Sequence, residues 1–153
     1  MTNFAKRRNL IPQKDIRAIL AKRFGKHQGY IECGDGWDWI LKELHEKLVY
    51  LDRRYTILQV KEKFGTLRFY LGQGGRTKNV AVRLMHDAIN RAEYLSSGTC
   101  ELCGNSSVVA DSERGIQYDQ SVGLKFDQYG WYQTLCDTCA EPLGYRASKE
   151  DHE

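Results

Sequence analysis

The sequence predicts an α+β protein: three helices packed on an antiparallel β-hairpin, followed by a four-cysteine zinc ribbon. Three observations carry that expectation. Two Cys-x-x-Cys pairs, Cys100/Cys103 and Cys136/Cys139, are separated by a spacer of 32 residues. Residues 55–62 and 66–71 alternate at period two on either side of a glycine-containing break. Three further stretches repeat apolar residues at helical spacing.

In chain order, residues 1–12 form a basic N-terminal arm, and Pro12 suits the first turn of a helix. From Gln13 to Phe24, the residues Ile16, Ile19, Leu20 and Phe24 share one helical face, with Gly25 as the stop. Arg17 is left for solvent or a partner, while Lys22, Arg23 and Lys26 suit the negative end of that helix. Gly29 to Gly36 reads as a loop. Asp35 then caps a second helix with Asp38 in its first turn, and Trp37, Ile40, Leu41, Leu44 and Leu48 form its stripe. Asp52-Arg53-Arg54 closes it.

Two strands follow. The first places Thr56, Leu58 and Val60 on one side. The second turns Leu67, Phe69 and Leu71 inward and Arg68 and Tyr70 outward, with Lys63-Phe64-Gly65 as the turn. A third helix, from about Asn79 to Leu95, buries Ala81, Leu84, Met85, Ala88, Ala92 and Leu95. Residues 13–97 therefore make the α+β core and 98–140 the metal module. Ser107–Asp111 and Leu124–Asp127 are its strand candidates, and Tyr129-Gly130-Trp131-Tyr132 makes a tight turn into the second cysteine pair. Residues 141–153 are a polar tail expected to fray.

Each cysteine pair lets two thiolates of one turn reach the same ion, so Cys100, Cys103, Cys136 and Cys139 are predicted to hold a structural Zn2+. Gly104 relieves the backbone where the first turn doubles back. Disulfides fit poorly with a sequence showing no export signal, from which a cytoplasmic location is expected. A redox Cys-x-x-Cys feeds a helix, and neither pair is followed by a convincing one. No stretch approaches the roughly 20 apolar residues of a membrane span. The apolar fraction of 41% and charged fraction of 28% are those of a globular chain.

Little points to catalysis. Four thiolates leave a zinc no open position. The H-x-E and P-C-x-x-C of nucleobase deaminases are missing, and no His lies between Cys103 and Cys136 where a zinc-knuckle nuclease would need one. Cys33 near His27 is a possible nucleophile pair, set against a small buried thiol. His45 and His86 read as structural. Gly72-Gln73-Gly74-Gly75-Arg76-Thr77-Lys78 matches neither phosphate-loop pattern and reads as a connector.

Charge is unevenly placed. Residues 1–26 carry eight Lys or Arg against one Asp, or +7, whereas the remainder carries 15 basic against 19 acidic side chains, or −4, giving the net +3. A basic segment of this kind draws an anionic partner or forms a solvated face. The candidate partner-binding residues are Lys6, Arg7, Arg8, Arg17, Lys22, Arg23, Lys61, Lys63, Arg68, Tyr70, Trp131 and Tyr132.

The stretches Ile31-Glu32-Cys33-Gly34-Asp35-Gly36-Trp37 and Val60-Lys61-Glu62-Lys63-Phe64-Gly65-Thr66-Leu67-Arg68-Phe69-Tyr70, taken with the cysteine pairs, resemble a group of short, uncharacterised bacterial and phage-encoded zinc-ribbon proteins. The likeness spans about residues 31–140. It carries over no functional residue. It implies a phage or prophage setting, in which small non-catalytic proteins bind and redirect a host macromolecule. Two readings follow: a binding protein, acting in some cases as an inhibitor, for a host protein or nucleoprotein complex, or a protein that binds DNA or RNA directly through its basic segment and ribbon.

Overall fold

The computed structural model describes residues 15–26, 29–73 and 79–147. Lys6, Arg7, Arg8, the predicted start of the first helix, His27, the connector from Gly74 to Lys78 and the last six residues lie outside them. The α+β expectation is met: helices pack on a small mixed sheet, and a second small sheet lies in the segment that contains the four paired cysteines.

Helix α1 (Ile16–Ala21) buries Ile16 and Leu20 completely. It stops earlier than the periodicity predicts. Arg23 N–H turns back to the Leu20 carbonyl, and the Arg23 carbonyl accepts the N–H of Ile57 (2.8 Å). Phe24 is thereby pulled out of the helix into a parallel bridge with Ile57. The expected loop at 29–36 also changes: β1 (Ile31–Glu32) pairs in parallel with β2 (Ile57–Lys63), Ile31 opposite Val60. Two residues are too few to display alternation, so this strand left no signal.

Gly34 in extended conformation, not Asp35, opens the turn Asp35–Trp37 that leads into α2 (Asp38–Leu51). Asp35 instead pairs with Arg17 (3.2 Å). The predicted stripe holds, since Trp37, Ile40, Leu41, Leu44 and Leu48 are all buried. His45 is buried too, 2.6 Å from the Tyr55 hydroxyl.

Strand β2 pairs antiparallel with β3 (Thr66–Leu71). A bulge between Ile57 and Gln59 breaks the period of two, so Ile57 and Val60 point inward and Leu58 is 64% exposed. That corrects the expectation that Thr56, Leu58 and Val60 share one side of the strand. The turn is Phe64-Gly65 with φ of 54° and 76°, both left-handed, as a two-residue hairpin connection demands.

Helix α3 (Asn79–Ser97) flanks β3, where Ser96 Oγ accepts the edge N–H of Leu67 (2.8 Å). That contact sets the helix's rotation. Met85, Ala88, Ile89, Ala92 and Leu95 face inward, while Leu84, expected inside, is 47% exposed.

The metal module differs most from expectation. Its sheet joins β4 (Gly123–Phe126), β5 (Tyr132–Leu135) and β6 (Arg146–Ala147) in the order β5-β4-β6. Ser107–Asp111 forms no strand, only a single bridge from Asp111 to Ile116. Helix α4 (Asp137–Leu143) follows Cys136 directly, against the expectation that no helix follows either pair. Ordered elements thus continue to Ala147, correcting the fraying tail at least that far. No described helix is long and apolar enough to cross a membrane.

Candidate metal centre

The end of α3 delivers Thr99 and Cys100 into a turn closed by the Gly104 N–H on the Cys100 carbonyl (3.0 Å). Gly104 has a φ of 84°, which the doubling-back requires. From the other side, β5 runs into Cys136, which caps α4, and its sulfur accepts the Cys139 N–H (3.4 Å). The Asn105 N–H reaches the Cys103 sulfur in the same way (3.5 Å).

Four sulfurs converge. Those of Cys100, Cys103, Cys136 and Cys139 lie within 4.8 Å of one another, with Cys103 and Cys136 at 3.7 Å. Tetrahedral bonds of about 2.3 Å put ligand sulfurs about 3.8 Å apart. A disulfide requires about 2.05 Å, and all four thiols are free. The helix after Cys136 gives that pair the local look of a redox motif, but a redox pair needs only two sulfurs at one place. The donor set therefore fits a soft tetrahedral ion.

Burial pushes Cys103 up to about 11, and the neighbouring Cys100 sulfur adds to it. Cys139 is raised for the same reasons, burial first. For Cys100, burial acts upward, but the backbone N–H groups of Cys103, Cys136 and Leu102 outweigh it and hold the thiol below its usual range. A cation among the sulfurs reverses the upward shifts and lets all four ionise together.

The centre is locked to the core by a residue that sequence reasoning passed over. Glu101, between the first two cysteines, is 4% exposed. Its carboxylate accepts the Gly34 N–H and the Gln133 side-chain amide, each at 3.0 Å. Its carbonyl accepts the Gly36 N–H (2.7 Å), and its own N–H donates to Thr134 (3.0 Å). Burial raises its pKa above the usual carboxylate value. Trp37 Nε1 donates to the Thr99 carbonyl (2.9 Å). A Cβ on Gly34 or Gly36 would strike the carbonyls of Glu101 and Cys100. The signal was present: two glycines either side of Asp35 mark a close backbone approach.

The hairpin tip makes a second lock. Thr134 Oγ1 donates to the Gly65 carbonyl (2.6 Å), and Phe64 stacks on Tyr132 with centroids 6.0 Å apart. The two stretches singled out in the sequence, 31–37 and 60–70, thus both end against the cysteine module.

The remaining candidates divide. Arg17 is not free: it bonds Asp38 and the Cys33 carbonyl, each at 2.9 Å. Arg23 is likewise engaged, donating to the Arg53 carbonyl and lying over the Tyr55 ring. Lys22 is exposed. Lys61, Lys63, Arg68 and Tyr70 come together on the outward face of the hairpin, Lys61 opposite Arg68. Arg68 also pairs with Glu93. Trp131 is 72% exposed, and Tyr132 is half-buried. His86 is exposed on α3. Cys33 packs against the core, where burial pushes its thiol up to about 12 against the opposing Arg17 charge.

Compared with protein-family models, curated proteins and solved structures, the chain matches none.

Proposed function

We propose that this chain is a zinc-stabilised binding protein that acts through its surface and not through catalysis. The observation that carries the reading is the convergence of four cysteine sulfurs within 4.8 Å. Cys100, Cys103, Cys136 and Cys139 would hold the ion, and their four thiolates complete a tetrahedral shell with no position left for substrate. Bound zinc supplies folding free energy, with apparent values of about 10–16 kcal/mol in small zinc peptides. The module needs such a contribution, because its own buried cluster contains only Val122, Leu135 and Ala140 beside two cysteines. Cys33, the nucleophile candidate of the sequence, is unfavourably placed for that role, because burial pushes its thiol up to about 12.

The phage setting that the resemblance implies makes a host macromolecule the partner: a host protein or nucleoprotein complex, which binding would redirect or inhibit. The test has two parts. Protein purified without added metal should carry one zinc per chain, and a chelator should unfold the module. Pull-down from bacterial lysate, repeated at low and high salt, should then recover a specific host component. Metal-free protein whose four cysteines are paired as disulfides would overturn the reading.

The second reading, direct nucleic-acid binding, is favoured by one observation: the hairpin collects Lys61, Lys63, Arg68 and Tyr70 on a single outward face.

A further inference from the structure

The inward face of the three-stranded sheet is closed by the core, where Val60 and Leu67 are at most 1% exposed. Its outward face is different. Tyr70 is 44% exposed and Phe64, at the hairpin tip, 60%. Two amines lie among these rings: Lys61 Nζ is 6.0 Å from the Tyr70 centroid and Lys63 Nζ 5.2 Å from that of Phe64. The ribbon continues the surface, because Tyr132 stacks on Phe64.

We propose that this face, from Tyr70 across Lys61 and Lys63 to Phe64 and Tyr132, binds single-stranded nucleic acid; the proposal rests on the metal-held ribbon described above.

Three arguments support that partner. Alternating cations and exposed rings are what a strand of phosphates and unpaired bases requires, since every base has a face to stack. Lys61 and Lys63 sit two residues apart on one face, about 7 Å along the strand, the scale of successive phosphates. Neither amine is within ion-pair reach of a carboxylate among the described residues. Glu32 stands in the same row as Lys61, and Glu93 neutralises Arg68, so the two lysines carry the local positive charge. From the row of Tyr70 to that of Lys63, four residues along β2, the hairpin extends about 13 Å.

A cleft of about 690 Å³ opens beside Tyr70, between β3 and α3, with Arg68, His86 and Asn90 in its walls. Arg68 bonds Glu93 through one nitrogen, and its buried Nε has no acceptor among the described residues. A buried donor of that kind calls for an acceptor that the described residues do not supply. Bases in a duplex are already stacked and paired, so the rings select an unpaired strand.

The experiment measures fluorescence polarisation of labelled dT12 with the full chain, alongside its zinc content. The wild type should bind. The logarithm of affinity should fall against that of salt with a slope of about −1.4 or steeper, from two phosphates on a single strand. Lys61→Glu with Lys63→Glu should weaken binding at least about tenfold, as should Tyr70→Ala, which removes one stacking ring. Lys47→Glu, on the far side of α2, should leave it unchanged. All the replaced side chains are at least partly exposed, and circular dichroism checks each fold.

Three results would overturn the proposal: no binding of dT12, affinity unaffected by reversal of the two lysines, or equal displacement by poly-glutamate. The last would identify an acidic protein partner in place of bases. The zinc measurement separates the two readings. One zinc per chain without dT12 binding overturns this surface alone, whereas absence of zinc overturns the metal-held ribbon on which it rests.

Discussion

Glu101 shows how one side chain couples the metal turn to the core. It sits between Cys100 and Cys103, and its carboxylate satisfies donors from two other segments, Gly34 and Gln133. Glu101→Ala strands both, and a buried donor left unpaired costs about 1–3 kcal/mol. A loss of about 2–4 kcal/mol in urea unfolding is therefore expected, with Glu101→Gln losing less because it keeps an acceptor. His45 allows a second residue-scale expectation. Burial, with the Arg23 charge adding to it, lowers its pKa from the ordinary 6.5. The folded state thus binds fewer protons than the unfolded one between those two values, so its stabilising share is complete above about pH 6.5 and falls as the pH drops. The urea midpoint of wild type relative to His45→Gln should decline between pH 7.5 and pH 5.5. An unchanged difference would contradict a buried neutral imidazole.

At the scale of elements, the hairpin tip is the joint between sheet and ribbon. Gly65 has a φ of 76°, and a Cβ there would meet Leu124 Cδ1 at 2.5 Å. Gly65→Ala combines a left-handed backbone penalty of about 1–2 kcal/mol with that clash, so a loss of at least about 2 kcal/mol is expected. Thermal unfolding measures it, and a neutral result would mean the ribbon does not rest there. The sequence displays this joint only in part. Alternation revealed both strands and the turn, because β3 has one buried and one open face. It missed the phase of β2, since a bulge is a backbone irregularity dictated by the partner strand. It overran α1, where Phe24 suits a helix face as well as a bridge and only the distant Ile57 decides. It rotated α3 by placing Leu84 inside, because the pinning contact at Ser96 joins residues 29 apart.

For the whole molecule, the metal ligands were the most legible feature, since two close-spaced pairs state their chemistry without tertiary context. What surrounds them was not. The helix after Cys136 and the third ribbon strand arise from residues 137–147, of which 141–147 read as a polar tail, and the partner of that strand lies across the module. An ion held by the four clustered sulfurs would join both halves, because the segments that carry them set Glu101 against Gly34 and Thr134 against Gly65. Removal of metal by a chelator is expected to loosen the ribbon first, exposing Trp131 and Tyr132 further and raising hydrogen exchange along β4 and β5. Helix α2, with Leu41 and Leu48 fully buried, should remain protected longer. Simultaneous collapse of both would mean that the core also depends on the metal. The most direct test of the whole account is X-ray absorption at the zinc edge on protein purified without added metal. Four sulfur neighbours at about 2.3 Å are expected; a shell containing nitrogen or oxygen, or protein without zinc and with its thiols oxidised in pairs, would contradict it.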